Sequence, residues 1–320
     1  MESFSHPLVR DLAWLIGGPS LMAAGTLGLD VPPADRMQQL KDEAQPWLAE
    51  LERQPADLEH WMARRHSPRL GHHAEALMEF WLQHAPGIRF IAGRQILTDG
   101  RRTLGDLDLL FDDEVRGVRV HWEMAVKFYL QATPASAWTE WIGPDARDSL
   151  DLKLRRIIDQ QLPLGRHPLA SIGADQPVRS EAFLRGWLFA PASTQEFRPL
   201  GSAPNHARGW WLRYGEQTIP AASRASRFAI LPRLAWMPPA RLAPGTSSPI
   251  SGSELAQQLD QHFGQVSHLS HLSRLSHLNL RPAVANSVLI AEVQRDAAGW
   301  WAEVARGFVV HAQWPGQKNV

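Results

Sequence analysis

The sequence predicts an α/β protein, with helices first, a mixed core in the middle and a β-rich end, and three patterns carry that expectation. Between positions 70 and 81 the apolar residues Leu70, Ala74, Leu77 and Trp81 recur at helical spacing. Between positions 118 and 129 the residues alternate between two faces, as in a strand. Val118, Val120, Trp122, Met124, Val126 and Phe128 make one apolar face, and Arg119, His121, Glu123, Ala125, Lys127 and Tyr129 make the other. Beyond Pro191 the chain becomes rich in Pro, Gly and Trp, with short apolar runs between turn residues. The expected parts are residues 1–66, helical; residues 67–191, the mixed core; and residues 192–320, mainly β.

In chain order, a helix is expected over Pro7 to Ile16, stopped by Gly17-Gly18-Pro19. Helical segments follow over Arg36 to Arg53, with Pro46 as a breaker, and over His60 to Arg65. The core opens with Ser67 as N-cap and Pro68 at the helix start. Pro86-Gly87 ends that helix. Three strands follow: Ile88 to Leu97, closed by a turn at Asp99-Gly100; Asp106 to Phe111, closed by Asp112-Asp113-Glu114; and Val118 to Leu130. A helix over Asp148 to Leu162, ended by Pro163 and Gly165, precedes a strand over Ala182 to Ala190. Strands are further expected at 209–212, 228–231, 287–293 and 306–311.

Composition narrows the chemistry. With no cysteine among 320 residues, disulfides, thiolate zinc sites and cysteine nucleophiles are excluded. Thirty-three basic residues balance 33 acidic ones, so contact with nucleic acid requires a local basic patch. The apolar run 12–16 is too short for a bilayer span and poorly built as a signal peptide, and no other run approaches the ~18 residues a span needs. The expectation is a cytoplasmic protein without a membrane partner. No Gly-X-Ser-X-Gly elbow occurs, and Gly17-Gly18 lacks the Gly-Lys-Ser/Thr of a phosphate loop. The repeat Ser267 to Leu278 carries His268, His271 and His277, but a period of three walks around a helix, so the imidazoles do not stay on one face.

Candidate chemistry centres on two strands. Asp106 and Asp108 share a face of the second core strand, and Glu123 and Lys127 share a face of the third. Carboxylates gathered on one face repel unless compensated, and a hard divalent cation with oxygen ligands compensates them. Such an ion polarises a phosphodiester and activates water, while a lysine stabilises developing charge. Arg147 and Lys153, around the second core helix, are candidate phosphate contacts, weighed against a solvated helix surface. Trp210-Trp211 and Trp300-Trp301 are candidate base-stacking pairs, weighed against core packing.

The segment Gly105-Asp106-Leu107-Asp108-Leu109-Leu110, followed by His121-Trp122-Glu123-Met124-Ala125-Val126-Lys127, resembles the PD-(D/E)XK nuclease superfamily. The helix–three-strand–helix–strand order is similar to that family's restriction-endonuclease-like αβββαβ core. With Trp141 to Pro144 and Arg147 to Lys153, the chain also resembles a bacterial family known only as a domain of unknown function. The resemblance implies Asp108 as metal ligand, Lys127 as the catalytic lysine, and an acid on the first core helix, Glu75 or, one turn later, Glu79. Glu123 is the remaining carboxylate. It departs from the motif, because Ala125 stands two residues before the lysine, where the family has its acid. In a strand this displaces the carboxylate by roughly 6–7 Å.

These residues imply a nuclease cutting DNA or RNA, with Asp108, Glu123 and Glu75 binding Mg²⁺ or Mn²⁺. The competing expectation is an inactive nuclease-fold protein that binds nucleic acid or a protein partner. A third is hydrolysis of another substrate in a closed pocket.

Overall fold

The structure is a computed structural model and describes residues 4–168, 178–192, 198–216, 219–221, 226–245, 248–276 and 287–316. It is a mixed α/β protein with N-terminal helices and a large mixed sheet. Two compact units share the chain discontinuously. One comprises residues 1–127, 152–186 and 201–206; the other comprises 128–151, 187–200 and 207–320.

The first unit opens with α1 (Pro7–Gly17), α2 (Ala34–Arg53), α3 (Ala56–Arg64) and α4 (Leu70–Leu82). Pro7 occupies the first turn of α1, where its missing N–H costs nothing. Pro46 does not break α2, which continues through it. Helix α4 starts at Leu70, and Ser67 Oγ instead accepts the Arg69 N–H at 3.2 Å in the turn before it. Strands β1 (Ile88–Asp99), β2 (Arg102–Asp113) and β3 (Val118–Gln131) follow as an antiparallel meander, with Gly100-Arg101 turning the first hairpin. Strand β5 (Val178–Pro191) lies next to β3. Both β3 and β5 begin in this unit and continue into the other.

The helix expected to end at Pro163 has a different construction. It consists of α5 (Leu150–Arg156), one π-helical turn over Ile157–Gln161, and α6 (Leu162–Gly165). Pro163 falls in the first turn of α6, where it needs no donor, so the rod passes it and ends at Gly165.

The core of the first unit forms where expected, on the Trp122 face of β3. Trp122 stacks on Phe183 with ring centres 4.7 Å apart and meets Phe111 edge-on at 4.8 Å. The opposite face is also buried: Arg119, His121, Glu123 and Ala125 are all covered. Part of the cover is α6. A Cβ on Gly165 would collide with Ser180 Oγ and His121 Nδ1, and one on Gly105 would collide with Leu164. Asp112 and Asp113, read from sequence as strand-closing turn residues, are buried strand residues. Arg119 Nε donates to Asp112 at 2.8 Å, and Arg36 Nε donates to Asp113 at 2.9 Å.

The second unit contains β4 (Trp141–Ile142), β6 (Ala207–Arg213), β7 (Arg227–Leu231), β8 (Arg241–Leu242), β9 (Val288–Arg295) and β10 (Trp301–Val310). Within it β6 is parallel to both β5 and β10, and β10, β9 and β7 continue antiparallel. Helix α7 (Gly252–Ser276) packs Leu255, Leu259 and Phe263 against Leu212, Phe228, Ile290 and Val309. The Ser-His-Leu repeat is helical in backbone as far as Ser276; His277 and Leu278 lie outside the described residues. Trp211 is a core residue, donating Nε1 to Gln131 O at 3.0 Å and packing edge-on against Trp314. Among the described residues no helix is long and apolar enough to cross a membrane.

Candidate functional site

The site forms where β2 and β3 part. Their ladder pairs Asp113 with Val118 and runs to Leu109 opposite Trp122, where it stops. Continued by one residue, that register sets Asp108 opposite Glu123, and opposite residues of an antiparallel pair share a face. Past the end of the ladder the Met124 N–H has no strand carbonyl to meet, and Asp108 Oδ2 accepts it at 2.9 Å. The aspartate thus closes the splay and is held against β3.

Glu123 is 1% exposed. Lys153, reaching from α5 and 15% exposed, donates from Nζ to Glu123 Oε1 at 3.1 Å and to Gln161 Oε1 at 3.1 Å. Gln161 ends the π-helical turn, where an inserted residue alters which side chains face inward. Among the described residues no donor reaches Glu123 Oε2.

Burial and then the charge of Asp108 push the Glu123 carboxyl up to about 8, against the pull of Lys153. Burial also raises Asp108, opposed by the Met124 N–H, by Lys153 and by a hydrogen bond from Glu123. The two carboxyls thus lie in one another's field, with Glu123 raised by the charge of Asp108 and lowered by Lys153. From α4, Glu75 joins the same field: burial and then Asp108 raise it to about 7, with Glu79 and Asp106 adding and Arg94 opposing.

The structure separates the two helix acids that the sequence offered as alternatives. Glu75 feels Asp108 and Asp106, whereas Glu79 is raised by burial and held down by Arg65, whose Nε lies 3.7 Å away. The Glu79 carboxylate occupies the space a Cβ would fill on Gly93 of β1, so that glycine admits it. Asp106 is more exposed and pairs with Arg94 Nε at 3.3 Å.

Lys127 is half-buried in β3, with its backbone carbonyl against Gly186 of β5. The ammonium that meets Glu123 and acts on Asp108 belongs to Lys153, which the sequence offered only as a phosphate contact. Arg147 lies exposed in the second unit, its backbone N–H directed at Asp145 Oδ1. Gln161 was not anticipated, and glutamine in a polar helix carries no signal of its own.

A divalent cation fits this donor set in kind. Hard oxygen donors raise one another's pKa, Lys153 opposes this only in part, and one buried carboxyl oxygen lacks a donor among the described residues. Among the described residues, however, no three acidic or histidine side chains already stand at metal-ligating spacing. A cation would thus require side-chain rotation, with Asp108, Glu123 and Glu75 as the groups to hold it.

A family model spans nearly the whole chain, residues 10–310, and its description is a domain of unknown function, DUF1853. The chain belongs to the DUF1853 family. This agrees with the narrower of the two resemblances read from the sequence. No curated protein and no solved structure matches the chain.

Proposed function

We propose that this DUF1853 protein is a metal-dependent nuclease of PD-(D/E)XK type, hydrolysing phosphodiester bonds in DNA or RNA. The observation that carries the reading is the buried Glu123 carboxyl, met by Lys153 and set in the field of Asp108. The element order α4, β1–β3, α5–α6, β5 supports a restriction-endonuclease-like core around that pair. Ala125 does not remove the second acid from Asp108, because the strand register brings Glu123 opposite it. Asp108, Glu123 and Glu75 would hold Mg²⁺ or Mn²⁺, and the bound ion would polarise the phosphodiester and lower the pKa of the attacking water. Asp108 is oriented by the Met124 N–H. Lys153 places a positive charge beside the carboxylates, which assigns it the role that the motif gives to Lys127. Arg94, exposed at the edge of the cluster and paired with Asp106, would meet a phosphate.

The test is cleavage of single- and double-stranded DNA and of RNA by the full chain with Mg²⁺ or Mn²⁺. Asp108→Asn is expected to abolish cleavage. Lys153→Met is expected to reduce it by about 10²–10³-fold, the usual effect of losing one charge-stabilising group. Absence of cleavage together with absence of Mn²⁺ binding by calorimetry overturns the reading.

The lack of preset metal spacing among the described residues favours a second reading, a catalytically inactive module that binds nucleic acid or protein. Metal-independent nucleic-acid binding, unchanged by Asp108→Asn, would establish its nucleic-acid form.

A further inference from the structure

Arg185 of β5 is a buried cation without a counter-ion among the described residues. It is 4% exposed, lies within the apolar run Ala182 to Ala190, and no carboxylate among the described residues pairs with it. Its Nε donates to Leu15 O at 2.9 Å, near the C-terminus of α1, and Nη1 donates to Leu184 O at 3.4 Å. The guanidinium carbon lies 4.0 Å from the Phe183 ring centre. A helix C-terminus, a strand carbonyl and a ring face supply partial negative charge, but none supplies a full one. Burial alone pushes the group down to about 9, with no anionic group opposing the shift. Nη2 has no hydrogen-bond partner among the described residues.

Arg185 lines a cavity of about 530 Å³ that lies entirely within the first unit. Gly17, Pro19, Met22 and Met37 contribute backbone and apolar surface to it, and Lys41 adds a second cation. No residue of the Asp108–Glu123 cluster takes part. Pockets of this size hold drug-sized molecules, usually with apolar walls and a few polar groups that fix orientation.

We infer that this cavity is a binding site for a small organic anion, a carboxylate or phosphate on an apolar body, with Arg185 holding the anionic group and Lys41 assisting. The planar fork of an arginine pairs with either oxyanion through two parallel hydrogen bonds, and Nη2 is the donor still available for one of them. An anion in place completes the charge pairing that the protein itself leaves open.

Calorimetry on the full chain with phenyl phosphate, benzoate and benzyl alcohol tests this, because the three share a ring and differ in the head group. Saturable binding of at least one anion is expected, with none for the alcohol, and the preferred anion identifies the head group. Arg185→Met is expected to weaken that binding by about ten- to a hundred-fold, the usual worth of a charge-assisted hydrogen bond. Should Arg185→Met fail to fold, Met37→Trp, which fills the cavity from a half-buried helix position, is expected to block the same binding. Absence of binding for both anions overturns the inference. So does alcohol binding as tight as the anions, or anion binding untouched by Met37→Trp or by a folded Arg185→Met.

Discussion

Glu123→Gln is expected to change how stability depends on pH, and the structure gives the sign. In the folded chain the Glu123 carboxyl is raised to about 8 from an ordinary 4.5, chiefly by burial and then by Asp108. Over that window the folded state holds a proton that the unfolded state has released. Stability from this group is therefore fully present below about pH 4.5 and is lost as pH rises toward about 8. One such proton is worth about 1.4 kcal/mol per pH unit, so the loss between about pH 5.5 and pH 7.5 is roughly 2–3 kcal/mol. Glutamine cannot ionise, and its amide can donate to Asp108 while its oxygen accepts from Lys153. The variant is thus expected to match the wild type below about pH 5 and to exceed it by a margin that grows until about pH 8 and then levels off. Urea denaturation followed by tryptophan fluorescence, wild type and variant side by side at each pH, measures the difference and cancels the other titrating groups. Parallel stability curves from acid to alkaline pH would refute the raised Glu123 carboxyl.

Other perturbations test other parts of the structure. Asp113→Ala leaves the buried guanidinium of Arg36 with only the longer contact to Glu43 at 3.8 Å and should cost about 3–5 kcal/mol in denaturant unfolding, whereas replacing both Arg36 and Asp113 with apolar residues should cost far less. Lys153→Met removes the cation from Glu123, so the carboxyl should protonate at still higher pH, read from its infrared band. Mn²⁺ should raise the denaturation midpoint at about pH 8 and have little effect at about pH 5.5, since protons compete for the same carboxylates. Gly165→Ala drives a methyl group into Ser180 and His121 and should destabilise by about 1–3 kcal/mol, seen as a lower midpoint with an unchanged slope.

What was legible from the sequence was whatever depends on neighbours along the chain. The 3.6-residue spacing in α4 and the two-residue alternation in β3 located those elements to within a few residues, and the apolar face of β3 became core because Trp122, Met124 and Phe128 have no other stable place. The pairing of Asp108 with Glu123 was legible only in part. Alternation put both on polar faces, but which residue stands opposite which is set by the turn between β2 and β3, and that register brings Glu123, rather than position 125, to Asp108. What packs on top of a sheet leaves no periodic mark within its strands. Nothing in the alternation of β3 announces that its charged face is buried, because the cover over His121 comes from α6, more than 40 residues away in sequence. The arrival of Lys153 at Glu123 has the same origin. A strand lysine two residues from Ala125 looks like the site's cation when strands are read alone, whereas the cation that reaches Glu123 comes from a helix whose π-helical turn places Gln161 beside Lys153. Arg185 makes the point from the other direction. Within the apolar run Ala182 to Ala190 a single arginine resembles a residue tolerated at an edge, and only its three-dimensional surroundings show a cation enclosed with no counter-ion among the described residues. Buried charge is thus the class of feature that sequence periodicity hides most, since its cost is settled by partners distant along the chain.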